Sequence, residues 1–134
     1  MARSPRIEFP GAIYHVMARG NRRMNIVTDD DDRWMFIRTL GQAATRSNFR
    51  VHAWVLLNNH YHLAIETPKA NLVAGMQWLQ TTYTKRFNVR NRQRGHLFGG
   101  RYKAIVVQHQ EGPYFLRLID YVHLNPVRAG LVIK

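Results

Sequence analysis

Val51-His52-Ala53-Trp54-Val55-Leu56-Leu57-Asn58-Asn59-His60-Tyr61-His62-Leu63-Ala64-Ile65 is the stretch that decides the fold. Val51 to Leu57 reads as a strand, Asn58-Asn59 as a tight turn, and the remainder as a second strand returning beside the first. Along a strand residues i and i+2 share a face, so His60 and His62 stand side by side. Tyr61, Leu63 and Ile65 point the other way and form a side that can be buried. Two imidazoles on a rigid strand make half of a metal site.

Outward from this hairpin, the pattern alternates between strand and helix. Residues 12–19 read as a first strand closed by Arg19-Gly20-Asn21. Asp29 to Asp32 mark a helix start, since carboxylates there cap free amides and oppose the helix dipole. Phe36, Ile37, Leu40 and Ala44 follow as its apolar stripe. Beyond the hairpin, Pro68 ends the strand. A second helix runs from Leu72 with Met76, Leu79, Tyr83 and Phe87 on one face, and its end passes into Arg-rich, loop-like sequence from Asn88 to Gly95. A fourth strand spans about 101–108, and Gly112-Pro113 opens a last helix with its proline in the first turn. The order β-α-β-β-α-β-α matches, over its first six elements, the α+β ferredoxin-like split βαβ: an antiparallel sheet with two helices on one face, plus a C-terminal helix. The other face of the sheet is then expected to be open, with His60 and His62 projecting from it.

The 134 residues form one domain, 1–134, by size. Their charge is unusual: 20 Lys+Arg against 8 Asp+Glu give +12 and a pI near 11.1. Residues 1–32 sum to zero, so the whole excess lies in 33–134, where only Glu66, Glu111 and Asp120 oppose it. From Lys85 to Lys103 there is no acid. Most of the cations are arginine, which suits bidentate contacts to phosphate and guanine. A solubilising surface normally mixes both signs, so this imbalance points to a polyanion, nucleic acid first. The candidate contacts are Arg19, Arg22, Arg23, Lys85, Arg86, Arg90, Arg92, Arg94, Arg101 and Lys103, with Arg117 and Arg128 near the last helix. No apolar run reaches membrane-spanning length, the N-terminus leads into no signal-peptide core, and the absence of cysteine excludes disulfides and thiolate metal sites. The expectation is a cytoplasmic, nucleoid-associated protein with no membrane partner.

Two imidazoles suit borderline metals, whereas Mg²⁺ or Mn²⁺ also needs oxygen donors. Tyr121 and Asn125 are four residues apart on one face of the last helix, beside its Phe115, Leu118, Ile119 and Val122 core stripe. A cation at the histidines would polarise a phosphoryl oxygen, Tyr121 would attack the phosphorus, and Asn125 would supply an amide oxygen. Glu66, on the same face as His60 and His62, competes as the third ligand. Tyr14, Tyr83, Tyr102 and Tyr114 compete as nucleophile. His15, His52, His96, His109 and His123 have no paired spacing and are assigned structural roles.

Asn59-His60-Tyr61-His62-Leu63 resembles the histidine–hydrophobic–histidine (HUH) motif of single-tyrosine transposases of the insertion-sequence type. Tyr121-Val122-His123-Leu124-Asn125-Pro126-Val127-Arg128 resembles the tyrosine-helix motif of their REP-associated branch. Phe9-Pro10-Gly11-Ala12-Ile13-Tyr14-His15-Val16, Gly95-His96-Leu97-Phe98 and Gly100-Arg101-Tyr102-Lys103 add to the similarity, in the right order along nearly the whole chain. The resemblance implies an enzyme that nicks and rejoins single-stranded DNA, often beside a hairpin. Tyr121 would be joined to a 5′-phosphate, with Mg²⁺ or Mn²⁺ held by His60, His62 and Asn125, in a monomer or homodimer. Relatives often continue past the Asn-Pro-Val-Arg segment, so a chain ending at Lys134 is expected to be a short or truncated member. Two rival readings remain: a non-catalytic nucleic-acid binder, and a hydrolytic nuclease in which metal-bound water replaces Tyr121.

Overall fold

The computed structural model describes residues 8–107; the expected last helix, and with it Tyr121, Asn125, Arg117, Arg128, Tyr114, His109 and His123, lies outside the described residues. The described elements are β1 (Ala12–Arg19), a short 3₁₀ turn (Asn21–Arg23), α1 (Asp30–Ser47), β2 (Arg50–Leu56), β3 (His60–Thr67), α2 (Leu72–Asn91) and β4 (Lys103–Val107). The sheet is antiparallel throughout, in the order β2-β3-β1-β4. This is the ferredoxin-like arrangement expected from the element order.

Alternation along the strands sorts the side chains into two layers. Tyr14, Val16 and Ala18 of β1 and Tyr61, Leu63 and Ile65 of β3 meet Phe36 and Leu40 of α1 and Leu72, Met76, Leu79, Tyr83 and Phe87 of α2 in one buried core. Both helices therefore lie on one face, and Tyr61 anchors β3 there with no exposed surface. In α1 the stripe is Phe36, Thr39, Leu40 and Ala43, with Ile37 and Ala44 only half-buried at its margin.

The second face is open only in part, contrary to expectation: Ile105, opposite His15, is 55% exposed and Lys103 is exposed, while much of the rest is covered. Ile13, Ala53, Val55, Ala64 and Val107 form a smaller apolar cluster there, and His62 is only 5% exposed. Ala53 and Ala64 of this cluster are paired directly across β2 and β3.

The helix termini show why α1 starts where the acids predict and why α2 runs past Asn88. Asp29 caps α1 by accepting the Asp32 amide at 2.9 Å. Asp32, fully buried, accepts from the Thr28 amide and hydroxyl (2.8 and 2.6 Å), from Arg90 Nη1 (2.7 Å) and from Asn91. Arg90 also reaches Asp29 and Asp31. These bonds hold residues 88–91 in the helix, so the loop expected from Asn88 begins only at Arg92, whose left-handed backbone (φ 54°) closes α2.

Gly20 joins β1 to the 3₁₀ turn at a place where no side chain fits. A Cβ there would sit 2.0 Å from the Met24 carbonyl oxygen, which is backbone and cannot swing away. Gly41, on the outer side of α1, has nothing within 4 Å of such a Cβ. Gly20→Ala is expected to cost about 2–3 kcal/mol through forced backbone displacement. Gly41→Ala is expected to gain about 0.5–1 kcal/mol, because alanine is the better helix former. Urea unfolding of the two variants checks this; equal midpoints would refute the close-packing account of Gly20.

Candidate functional site

The site begins at the Asn58-Asn59 turn, which the rest of the molecule holds in many places. Leu57 N donates to His60 O at 2.9 Å across the turn. Ile26 N donates to Asn58 O, Gly20 N to Asn59 O, and Arg33 to the Asn58 side chain. The loop from Gly20 to Val27 is thus tied to the residues that lead into the histidine strand. Asn21 N donates to Leu97 O and Gly99 N to Arg19 O, which fastens the 97–99 segment to the same end of the sheet.

His60 and His62 stand on one face of β3, as their spacing predicts, with ring centroids 5.2 Å apart. The structure adds a third imidazole. His15 of β1 is paired with Ala64, one step diagonal to His62, and its Nε2 lies 3.0 Å from His62 Nδ1. Diagonal neighbours on a sheet are within reach of ring side chains, and Ala64 leaves room for His15 to lean over. His60 makes an equivalent contact: its Nδ1 is 2.8 Å from Asn59 Oδ1. An amide oxygen only accepts, so Nδ1 carries the proton and Nε2 the lone pair.

Burial lowers the pKa of all three rings. His62 is pushed down to about 4, by burial first and then by the charges of His15, His60 and Arg19. His60 is lowered by burial and by Arg19, its cross-strand partner, and His15 by burial. All three are therefore neutral at pH 7, the state in which imidazole binds a cation. Neutral rings on a fixed strand suit a divalent ion that other groups complete with oxygen. Among the described residues no three or more His, Asp or Glu side chains form a metal-binding group by themselves. Glu66 is engaged elsewhere, at the far end of β3, with His52 at 2.9 Å and Arg50 at 3.8 Å.

The cationic residues divide by environment. Arg22 and Arg23 are exposed in the 3₁₀ turn, both with positive φ (54° and 59°), a conformation disfavoured for side-chain-bearing residues. Asn59 Nδ2 donates to the Arg23 carbonyl at 3.4 Å, so this turn abuts the histidine hairpin. Two adjoining clefts, 770 and 720 Å³, share Asn21, Asn88, Gly95, His96 and Leu97; Lys85 and Arg101 line the first, and Arg22, Arg23 and Arg94 the second. Neither cleft is lined by an acid. Lys103 is exposed opposite Met17, which is itself opposite His62, so it shares the histidine face. Arg92 is exposed at the α2 terminus. Arg90 and Arg86 have intramolecular duties instead. Arg90 holds Asp29, Asp31 and Asp32, and Arg86 donates to Thr39 and Gln42 of α1. Among the described residues no helix is long and apolar enough to cross a membrane.

Comparisons with known proteins place the chain in a family and support its fold. The family profile described as "Transposase IS200 like" matches residues 9–124. Among solved structures, the chain is similar to a REP-associated tyrosine transposase bound to a REP hairpin, with a TM-score of 0.76 and 19% identity over 98% of this chain and 76% of that one. It is also similar to a putative transposase from Deinococcus radiodurans R1, with a TM-score of 0.61 and 14% identity over 99% of this chain and 100% of that one. The comparison with proteins of curated function found no match. At these identities the two structures speak for the fold, while the profile spans residues 9–124, most of the chain: the chain belongs to the IS200-like transposase family.

Proposed function

We propose that this transposase cleaves and rejoins single-stranded DNA through a covalent 5′-phosphotyrosine at Tyr121, with a divalent cation, Mg²⁺ or Mn²⁺, bound by His60, His62 and Asn125. The observation that carries the reading is the neutral His60/His62 pair, held side by side on β3 in a chain of this family. The Tyr121 oxygen attacks the phosphorus, the bond from phosphorus to the 3′ oxygen breaks, and the phenol's proton ends on that oxygen as a 3′-hydroxyl. The bound cation supplies charge stabilisation at the phosphoryl oxygens. Because the phosphotyrosine keeps the energy of the broken diester, a 3′-hydroxyl can reverse the step and join strands.

A hairpin-forming single strand is the proposed substrate. In support, the structurally similar REP-associated transposase is bound to a REP hairpin, and the two acid-free clefts of this chain offer a cationic track. The proposed DNA contacts are Arg19, Arg22, Arg23, Lys85, Arg92, Arg94, Arg101 and Lys103, with Arg117 and Arg128. The strain at Arg22 and Arg23 fits this role, since strained backbone concentrates where function holds it.

The test incubates the protein with labelled hairpin-bearing single-stranded DNA and Mn²⁺, then separates the products on a denaturing gel. A covalent adduct, lost in His60→Ala, is expected, with duplex DNA cut poorly. Cleavage without adduct would favour the hydrolytic nuclease, and binding alone the non-catalytic binder. Salt dependence checks the track separately. Removing Arg22 and Arg23 together should reduce the slope of log K against log salt by roughly 1.4, about 0.7 per single-strand phosphate contact. Arg86→Ala should leave it unchanged, and an unchanged slope in the double variant would remove the turn from the interface.

A further inference from the structure

We propose that the outer groove between α1 and α2 is a second DNA site, one that takes the phosphate backbone of a duplex stem through Arg38 and Arg46. The inference rests on the reading of a hairpin-forming DNA substrate and adds a surface to it on the helix side of the molecule.

The groove is a cleft of 650 Å³ lined by Arg38, Gly41, Gln42 and Arg46 of α1 and by Trp78 and Arg86 of α2. Among the described residues no acid lines it. Arg38 and Arg46 are exposed, and among the described residues neither is in an ion pair. Eight residues of helix separate them by about 12 Å along α1, the rise of roughly three to four base pairs along one strand. Arg86 is held inward, donating to Thr39 at 2.9 Å and to Gln42 Oε1 at 2.6 Å. Its charge adds to the field of the groove without reaching out of it. Gln42 has given its carbonyl to Arg86, so the group it presents to a ligand is an amide NH₂, another donor. A wall of donors and positive charge suits phosphate oxygens.

The form of the DNA follows from Trp78. Single-strand binders hold bases on open aromatic faces. Trp78 is half-buried, and the Arg46 guanidinium lies over its ring at 4.7 Å. That leaves the groove with phosphate contacts and no base platform, and phosphate contacts position a duplex without reading its sequence. Trp34, 49% exposed and one turn before Arg38, is the open ring that a single strand would use, and it lies outside the lining. The groove also adjoins the cationic track. Lys85 and Arg86 are successive residues, about 100° apart around α2, and each lines a different cleft: Lys85 the 770 Å³ one, Arg86 this one.

The experiment measures binding of the full-length protein to a labelled DNA hairpin and to an unpaired strand of equal length, by fluorescence anisotropy across a salt series without divalent cation. On the hairpin, Arg38→Ala/Arg46→Ala is expected to lower the slope of log K against log salt by roughly 1.8, about 0.9 per duplex phosphate. On the unpaired strand the slope should not change. Far-UV circular dichroism checks that this double variant, altered only at exposed positions, keeps its helices. A Cβ at Gly41 meets nothing within 4 Å, so Gly41→Ala should bind the hairpin as the parent does, while Gly41→Glu, which places an acid in the groove, should bind it more weakly. An unchanged hairpin slope in the double variant overturns the inference. Equal losses on the two probes, or a loss of hairpin affinity in Trp34→Ala as large as in the double variant, would assign the groove to a single strand and overturn the duplex reading. A parent that shows the slope difference but forms no covalent adduct upholds the groove and overturns the strand-transfer reading; an adduct with no slope difference does the reverse.

Discussion

Tyr121→Phe is expected to bind single-stranded DNA as the parent does, to form no covalent adduct, and to lose at least about 10⁴-fold in strand cleavage, the scale seen when a nucleophile is removed. The substitution deletes one oxygen and leaves the ring. No described tyrosine is placed to take over. Tyr14, Tyr61 and Tyr83 are at most 1% exposed and Tyr102 is 8% exposed, all within the helix-side core. Burial raises the phenol pKa of Tyr14, Tyr61 and Tyr83, and Tyr83 donates its hydroxyl to the Ile26 carbonyl. A phenol that is hard to ionise and shut away from solvent cannot meet a phosphodiester. Tyr114 lies outside the described residues, so Tyr114→Phe is the matched control and should keep its adduct. Peptide mapping of the parental adduct makes the result specific; a phosphorylated residue other than Tyr121 would sink the assignment.

Asp32→Ala is expected to cost about 3 kcal/mol, a loss of roughly 10 °C in Tm for a domain of this size. The carboxylate is fully buried and receives Thr28, Arg90 and Asn91, so its removal strands the Thr28 amide and loosens α2 from α1. Arg90 keeps Asp29 and remains partly exposed, which places the cost at the lower end for a broken buried pair. The pH dependence has a definite sign. Burial pushes the Asp32 carboxyl up, but the hydrogen bonds from Thr28, Arg90 and Asn91 outweigh it, and its pKa lies below the ordinary value. Asp29 is lowered too, chiefly by Arg90. A group depressed in the folded state stabilises it above its unfolded pKa, and that contribution disappears as pH falls through the folded pKa. The Tm gap between parent and Asp32→Ala should therefore be constant above about pH 5 and narrow below about pH 4. The histidines act earlier and equally in both proteins. Their lowered pKa values mean that the unfolded chain takes up protons first, so both lose stability as pH falls from about 6.5 toward 4. A gap that stays constant down to pH 3 would show that Asp32 is not ionised in the fold.

The helices, the hairpin and the facing of His60 and His62 were legible because each depends on local periodicity. Leu72, Met76, Leu79, Tyr83 and Phe87 are all buried, as a helical stripe requires. The end of α2 was not legible, because Asn88 to Asn91 stay helical through bonds to Asp29, Asp32 and Thr28 some sixty residues earlier. His15 was missed for a similar reason. It has no histidine neighbour in sequence, and its partner is reached only through the pairing of β1 with β3. A signal did exist: the ferredoxin-like order places those strands side by side, and alternation puts His15 opposite Tyr14 and Val16, on the face of His60 and His62. The buried part of the second face was hidden as well, since Ile13, Ala53, Val55, Ala64 and Val107 come from four separate strands. That Arg90 and Arg86 also bond to α1 and its capping acids was not legible, because charge counts carry no record of partners.

The register of β1 against β3 has a consequence for folding. Tyr14 faces Ile65 and His15 faces Ala64 in a pairing whose two sides differ completely in polarity. A slip of one residue would turn His15 into the helix-side core and Tyr14 out to the histidines. The chain can therefore hold both helices and still lack its site until this long-range pairing closes. Non-local pairing of this kind forms more slowly than local helix, so the contact of His15 with His62 is expected to form after the helices. A kinetic intermediate with helical circular dichroism would still have His15 and His62 far apart.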